Sequence, residues 1–254
     1  MKLLIGGSPC THWSIAQTKN RETEASGIGW ELFLNYRIAR DKYQPDYFLY
    51  ENNKSMSPAI RAQITAELGV EPVLINSALV SAQNRQRLYW AGKRNHDGTY
   101  RQVPVELPED RGILLRDILE TGFPLREKGY APPNGAGHIR LSRQRHPGDT
   151  QAYKMLGNGW TVDVIAHIMS HFTGLTAEPV EVLSMYDGMS CGHIALGKLG
   201  AEIASYHATE IDKFAIQTTQ ANFPDVVQLG DAFQVREDGW TYAGLTGGAS
   251  EAAE

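Results

Sequence analysis

Apolar residues along this chain gather into short runs of two kinds, and the two kinds alternate. Leu3-Leu4-Ile5 is continuous and is closed at once by Gly6-Gly7, the pattern of a strand buried on both faces. Trp30, Phe33, Leu34 and Ile38 then recur at the three-to-four spacing of an amphipathic helix. Tyr47-Phe48-Leu49-Tyr50, after Pro45, reads as a second strand, residues 60–68 as a helix, and Pro72-Val73-Leu74-Ile75 as extended. Such alternation predicts an α/β protein, a mostly parallel, doubly wound sheet with helices on both faces. Between about 91 and 150 the pattern dissolves, because Gly, Pro and charges interrupt every run except 113–119. It resumes with a helix over 162–172, a strand at Val182-Leu183-Ser184-Met185, a helix after Cys191, a strand near Tyr206 and a helix over 214–222. Residues 173–179 have the composition of a linker, and the small, acidic residues 244–254 that of a disordered tail. No internal repeat interrupts this order.

Composition narrows the class. A chain of 254 residues with 42% hydrophobic and 21% charged positions is expected to be globular. Its two cysteines, Cys10 and Cys191, cannot build a disulfide framework, which points to a reducing compartment, the cytoplasm. No apolar run approaches the roughly 20 residues of a membrane helix, and Met1-Lys2-Leu3-Leu4-Ile5 is too short for a signal-peptide core, so neither a span nor a targeting segment is expected. The net charge of −5 is unevenly spread. Residues 85–150 carry 12 Lys and Arg against 8 Asp and Glu, leaving 12 against 21 elsewhere. A basic segment on an acidic body suits a protein that meets phosphate on one side, although on charge alone a chance imbalance in a loop-rich stretch is the better reading.

Four segments carry chemistry. Gly6-Gly7-Ser8-Pro9-Cys10 puts a thiol at the end of a strand, where parallel folds place their sites; glycines admit a ligand and Pro9 stiffens the turn. Tyr50-Glu51-Asn52 puts a carboxylate at a second strand end, suited to proton transfer to a ring nitrogen, or else to a plain solvated turn. In Gln83-Asn84-Arg85-Gln86-Arg87 alternate residues share one strand face, so Gln83, Arg85 and Arg87 are expected to point the same way. Leu183 to Gly192 reads as strand, glycine turn and helix, and Glu210 closes the next strand 22 residues after Gly188, the layout of a nucleoside-type site. His167 and His171 stand four apart on a helix without the carboxylate or cysteine pair of a metal site, so no metal is expected.

Together these segments resemble the cytosine-C5 DNA methyltransferase family. Gly7-Ser8-Pro9-Cys10 is similar to its nucleophile loop, Glu51-Asn52 to its Glu-Asn element, and Gln83-x-Arg85-x-Arg87 to its Gln-x-Arg-x-Arg motif. Leu156-Gly157-Asn158-Gly159-Trp160-Thr161-Val162 resembles its late Gly-Asn segment and helix, and Asp187-Gly188-x-x-x-Gly192 its donor loop. Glu210-Ile211-Asp212 and Gly230-Asp231 match the acids that follow. The usual order is altered: here the nucleophile loop comes first and the donor loop last, as in a circular permutation. Thr11 stands for the usual Gln, Asn53 for Val and Tyr186 for Phe, and the Leu-Thr-Pro…Gly-Phe-Pro-Asp stretch has no counterpart before Tyr153.

The resemblance implies a circularly permuted, Rossmann-like methyltransferase sheet. Residues 1–90 would form its catalytic part, 91–152 a short, irregular target-recognition insertion, 153–235 the donor-binding remainder and 236–254 a tail. It implies S-adenosyl-L-methionine as methyl donor and a cytosine flipped out of double-stranded DNA as substrate, in a cytoplasmic monomer with a restriction-modification setting. Cys10 would add to C6 while Glu51 holds a proton at N3 and Arg85 and Arg87 orient the base. Tyr186, Asp187, Gly188 and Gly192 would cradle the donor, with Glu210 on the ribose and Ile211 and Asp231 on the adenine. Pro9, Asn158 and Thr161 would close that pocket. Ser8, Asn52 and Gln83 would contact the base, and Arg140, Arg143 and Arg145 the phosphates. Two other outcomes fit the same residues: the same chemistry on tRNA, and a non-catalytic DNA-binding relative.

Overall fold

The computed structural model describes residues 1–15, 21–114, 117 and 149–240, the side chains of 149–153 excepted. Arg140, Arg143 and Arg145, most of the 113–119 run and the acidic tail lie outside the described residues. The strands are β1 (Lys2–Gly6), β2 (Tyr47–Asn53), β3 (Pro72–Asn76), β4 (Gln86–Arg94), β5 (Tyr100–Gln102), β6 (Val180–Met185), β7 (Ile203–Thr209) and β8 (Val227–Gly230). The helices are α1 (Gly27–Tyr43), α2 (Pro58–Leu68), α3 (Asp149–Asn158), α4 (Val162–Met169), α5 (Cys191–Leu199) and α6 (Lys213–Asn222). One sheet takes the order β3-β4-β2-β1-β6-β7-β8, with β5 pairing the far half of β4. Pairing is parallel from β2 through β8, and β4 alone among the described strands runs against its neighbours. This is the mostly parallel, Rossmann-like sheet that the alternation of runs predicts.

Period-two burial explains how the sheet acquires two cores. Leu3 and Ile5 of β1 face Val182, Tyr206 and Ala208, under Val164, Ile165 and Ile168 of α4 and Ala195 and Leu196 of α5. Leu4, between them, joins Phe48, Tyr50, Leu183 and Met185 on the other face, under Phe33 and Tyr36 of α1 and Ile60 and Ile64 of α2. Tyr50 is the hub of that second core, with ring centroids 4.8 Å from Tyr36, 5.4 Å from Phe33 and 5.6 Å from Trp90. Local signals set the ends of α2: the Ser57 hydroxyl accepts from the Ile60 amide at 3.2 Å, Pro58 opens the helix, and Gly69 closes it at φ 74°. No described helix is long and apolar enough to cross a membrane.

Three elements depart from the sequence reading. Strand β5 and the start of helix α3 fall inside the stretch expected to be irregular, and β8 arises where no strand is foreseen. The two strands, three and four residues long, are too short to show a period of their own. Strand β8 is an edge strand specified by pairing with β7, an interaction that no local pattern encodes.

From β1 the chain winds through α1 to β2 on one side, whereas from β6 it winds through α5, β7 and α6 to β8 on the other. The crevice at the carboxyl ends of β1 and β6 is therefore the switch point of the sheet, where such folds receive ligands. Gly6 ends β1 opposite Met185 and Tyr50, and a Cβ there would lie 2.6 Å from the Met185 carbonyl oxygen and 3.1 Å from the Tyr36 ring. Because the first obstacle is backbone, Gly6→Ala is expected to destabilise the fold by about 2 kcal/mol. The check is a lowered urea midpoint at unchanged m-value; an unchanged midpoint would show that β1 and β6 separate without cost.

Candidate active site

The loop that leaves β1 is braced by the end of β2. Ser8 Oγ and the Tyr50 hydroxyl share a hydrogen bond of 2.6 Å. Asn52 Nδ2 donates to the Tyr50 hydroxyl at 3.0 Å and to the Ser8 carbonyl at 3.2 Å. Burial pushes the Tyr50 phenol up, so it stays neutral and can both donate and accept. One residue on, Asn53 Nδ2 donates to the Cys10 carbonyl at 3.2 Å, and the amides of Trp13 and Ser14 donate to the same oxygen at 3.1 and 3.0 Å. Cys10, partly exposed, thus opens a 3-10 turn, Cys10–His12, whose backbone is tied from two directions. Pro9 precedes that turn as its cap.

Glu51 lies beside this loop and is 8% exposed. Arg87 Nε stands 2.9 Å from its Oε1, and the Trp160 indole donates to its Oε2 at 3.1 Å. A Cβ on Gly7 would fall 2.9 Å from Oε2 and 3.3 Å from the indole nitrogen, so only glycine leaves room for the carboxylate against the loop.

The expectation that Gln83, Arg85 and Arg87 line one strand face needs correction. Strand β4 begins at Gln86, and Gln83 and Arg85 sit in a folded-back segment before it. Asn76 causes the fold-back: its Oδ1 accepts from the amides of Ala78 and Arg85 at 3.2 and 3.0 Å, and the Ser77 amide donates to the Arg85 carbonyl at 2.9 Å. The Arg85 guanidinium donates to the Gly157 carbonyl at 2.6 Å and reaches that of Asn158 at 3.5 Å. Gln83 Oε1 accepts from the Thr161 hydroxyl at 2.9 Å, and that hydroxyl accepts from Ser77 at 2.9 Å. Arg87 alone of the three reaches Glu51. The motif therefore divides its work, one arginine on the acid and one on segment 157–161.

The loop after β6 has an unusual backbone. Tyr186, Gly188 and Ser190 all have φ near 60°, a region that side chains disfavour at two of these three positions. The Asp187 carboxylate holds it there, accepting from Ser184 at 2.6 Å, from Tyr206 at 2.7 Å and from Ser190. Burial raises Asp187 to about 6, against the opposing pull of those three hydroxyls. Glu210 Oε2 accepts from the Gly188 amide at 2.9 Å, and its Oε1 from the amides of Ile211 and Asp212 at 2.7 and 2.8 Å. Each of these oxygens has further lone-pair capacity. Beside it Ile211 is 74% exposed, and Asp231, at the end of β8, caps the next turn through the Phe233 amide. A tight glycine turn, a carboxylate, an apolar face and a second carboxylate in that sequence could hold an adenosine. The Tyr186 hydroxyl donates instead to the Leu32 carbonyl of α1 at 2.8 Å. Gly192 lets α5 settle on β1, since a Cβ would lie 2.3 Å from Ile5 Cδ1.

Other candidates separate from the site. The Cys191 thiol is buried and pushed up to about 12 by that burial, a packing group rather than a nucleophile. His167 Nε2 pairs with the Glu106 carbonyl at 2.7 Å and His171 Nδ1 with the His167 carbonyl at 2.9 Å. No group of three or more His, Cys, Asp or Glu side chains among the described residues could hold a metal. A cleft of about 430 Å³, lined by Lys2, Lys42, Asp46 and Arg94 among others, opens at the opposite edge of the sheet, away from these groups. Sequence reasoning assigned nothing to Trp160, Asn53 or Thr209, whose hydroxyl accepts from the Tyr186 amide at 3.0 Å. Trp160 was within reach, as an indole inside the Gly-Asn-Gly-Trp-Thr segment.

Residues 1–131 match the C-5 cytosine-specific DNA methylase family. The orphan methyltransferase M.Rho11sI of Bacillus phage rho11s is 33% identical over 102 residues, 36% of this chain and 20% of that protein. The type II methyltransferase M.Sau3AI of Staphylococcus aureus is 28% identical over 153 residues, 55% of this chain and 36% of that one. DNA (cytosine-5)-methyltransferase DRM2 of Arabidopsis thaliana is 26% identical over 142 residues, 56% of this chain and 18% of its own length. The chain thus spans between about a fifth and about a third of the relatives it matches.

The buried Asp187 generates a pH prediction. With its carboxyl raised to about 6, the folded protein holds this proton more tightly than the unfolded chain does. The ionised group therefore opposes folding above pH 6, and this penalty is relieved as pH falls from about 6 towards the ordinary value near 4. Asp187→Asn cannot ionise, so the difference in unfolding free energy between wild type and variant should move in favour of wild type across that window and level off above it. A difference that stays flat from about pH 4 to 7 would show a carboxylate of ordinary acidity.

Proposed function

Because the chain belongs to the C-5 cytosine-specific DNA methylase family, we propose that it transfers a methyl group from S-adenosylmethionine to C5 of a cytosine in DNA. The observation that carries this reading is the convergence on one crevice of the Cys10 loop, a doubly held Glu51 and the Glu210-braced donor loop. A thiol and a carboxylate beside one another are what a covalent route through a pyrimidine ring requires.

Cytosine C5 is too weak a nucleophile unaided. Cys10, as thiolate, adds to C6 while Glu51 holds a proton at N3, which concentrates electron density at C5. When bound, the donor supplies an electrophilic sulfonium methyl. Loss of the C5 proton then expels Cys10 and restores the aromatic ring. Arg87 orients Glu51, and Arg85 fixes segment 157–161 beside it. Ser8 and Asn52 shape the floor under the base and Gln83 its rim, and Asn158 and Thr161 close the donor pocket. Because C6 is hidden in a duplex, the base must be flipped out, at a cost of roughly a few kcal/mol. On the donor side, Glu210 takes the ribose hydroxyls, Ile211 lies against the adenine ring and Asp231 meets its edge. Pro9, Tyr186, Asp187, Gly188 and Gly192 set the walls, Asp187 through the loop shape it enforces. Arg140, Arg143 and Arg145 are proposed for phosphate contact.

We also read the motif order as a circular permutation. The nucleophile half, β1 to β5, and the donor half, β6 to β8, lie side by side at β1 and β6, joined through α4 and residues 170–179.

Cys10→Ser should abolish transfer to DNA while S-adenosylmethionine binding stays within about twofold, because the two groups close different strands and a serine hydroxyl adds poorly to C6. Duplex DNA containing 5-fluorocytosine, incubated with the donor, should trap wild type covalently and leave the variant free. Near-normal turnover by the variant removes Cys10 from the nucleophile role; methyl transfer to tRNA but not to duplex DNA reassigns the substrate. Glu210→Ala should weaken donor binding by roughly 1–3 kcal/mol, the worth of lost hydrogen bonds to a charged group. Unchanged affinity by calorimetry would mean that the ribose is held elsewhere.

A further inference from the structure

Glu51 is gripped from two sides, and only one grip comes from its own part of the sheet. Arg87 takes Oε1 from the neighbouring strand β4, whereas Oε2 receives the indole N–H of Trp160, 109 residues further along the chain. We propose that Trp160 is a positioning residue for Glu51, fixing the plane of the carboxyl group so that its remaining lone pairs meet the base. The proposal rests on the reading of Glu51 as the group that holds the proton at N3.

Three observations converge on it. A carboxylate held by one arginine can pivot about that contact; a second donor on the other oxygen removes the pivot. An indole N–H is a single directional donor with no acceptor capacity, so it can serve no other purpose at this distance. The indole is also carried on a rigid mount. Segment 157–161 is tied at one end by Arg85 to the Gly157 and Asn158 carbonyls, and at the other by the Thr161 hydroxyl to Gln83 and Ser77. Finally, the missing side chain of Gly7 leaves the gap in which carboxylate and indole meet, so the nucleophile loop is shaped around this pair. Helix α4, which starts two residues after Trp160, packs on α5, the helix that follows the donor loop. The orientation of the acid is thereby fixed by the half of the chain that carries the donor site.

The test is a double-mutant cycle on the full chain with duplex DNA and tritiated S-adenosylmethionine. Trp160→Phe keeps the ring and removes only the N–H. It is expected to lower the single-turnover rate about tenfold, the scale of one hydrogen bond to a charged group, with DNA KM and donor Kd within twofold of wild type. In a Glu51→Ala background the same change should cost less than about twofold, because a residue acting through Glu51 has nothing left to orient. Equal losses in both backgrounds, or a loss that appears in donor Kd, would overturn the proposal. A readout independent of turnover separates this from the functional reading: the Trp160 indole N–H resonance, identified by its absence in Trp160→Phe, should shift and lose exchange protection in Glu51→Ala. A resonance that does not move overturns the positioning role even in an active enzyme. A resonance that moves in a protein inactive on DNA sustains the pairing and sinks the functional reading instead.

Discussion

Strand β1 is wedged in parallel between β2 and β6, and the position of everything at the crevice follows from that pairing. Leu3, Leu4 and Ile5 are fully buried, so the strand cannot slide without exposing them on one face or the other. With register fixed, Gly6 stands against Met185 and Tyr50, and the three loops leaving these strands emerge at one edge. The loop of Cys10, the carboxylate of Glu51 and the turn after β6 all leave the sheet at the same end because of this strand pairing.

Those hydrogen bonds then act on backbone more than on one another. Asn52 and Asn53 fasten the loop of Cys10, Glu210 fastens Gly188, and Arg85 fastens segment 157–161. Asp187 is the extreme case, a carboxylate spent on three hydroxyls of its own surroundings. A site built this way is rigid in advance, so little ordering remains for ligand binding to accomplish. The strained φ angles at Tyr186 and Ser190 are where that rigidity is obtained at a cost in backbone energy.

The parts of this design that could be read from sequence are those with a local signal. Continuous apolar runs announced β1, β2 and β6, the three-to-four spacing of Trp30, Phe33, Leu34 and Ile38 announced α1, and glycines beside Cys10 and Asp187 announced the two turns. The alternation rule failed at Gln83 and Arg85, because Asn76 folds the chain back through its own amide contacts and delays β4 to Gln86. Strands β5 and β8 were hidden since such short strands are specified by the neighbours they pair with. Trp160 went unassigned for a related reason: its partner is remote in the chain, and nothing near residue 160 points to a carboxylate at residue 51.

The chain has two sulfhydryls, and the fold treats them very differently. Cys191 opens α5 and is buried there with its thiol held protonated, while Cys10 stands partly open at the crevice. An electrophile or a mild oxidant arriving from solvent therefore meets a protein with a single addressable sulfur, and that sulfur is the one at the crevice. Chemical damage and chemical labelling converge on the same atom, so a stoichiometric thiol probe reports directly on the occupancy of the crevice, with no background from the interior.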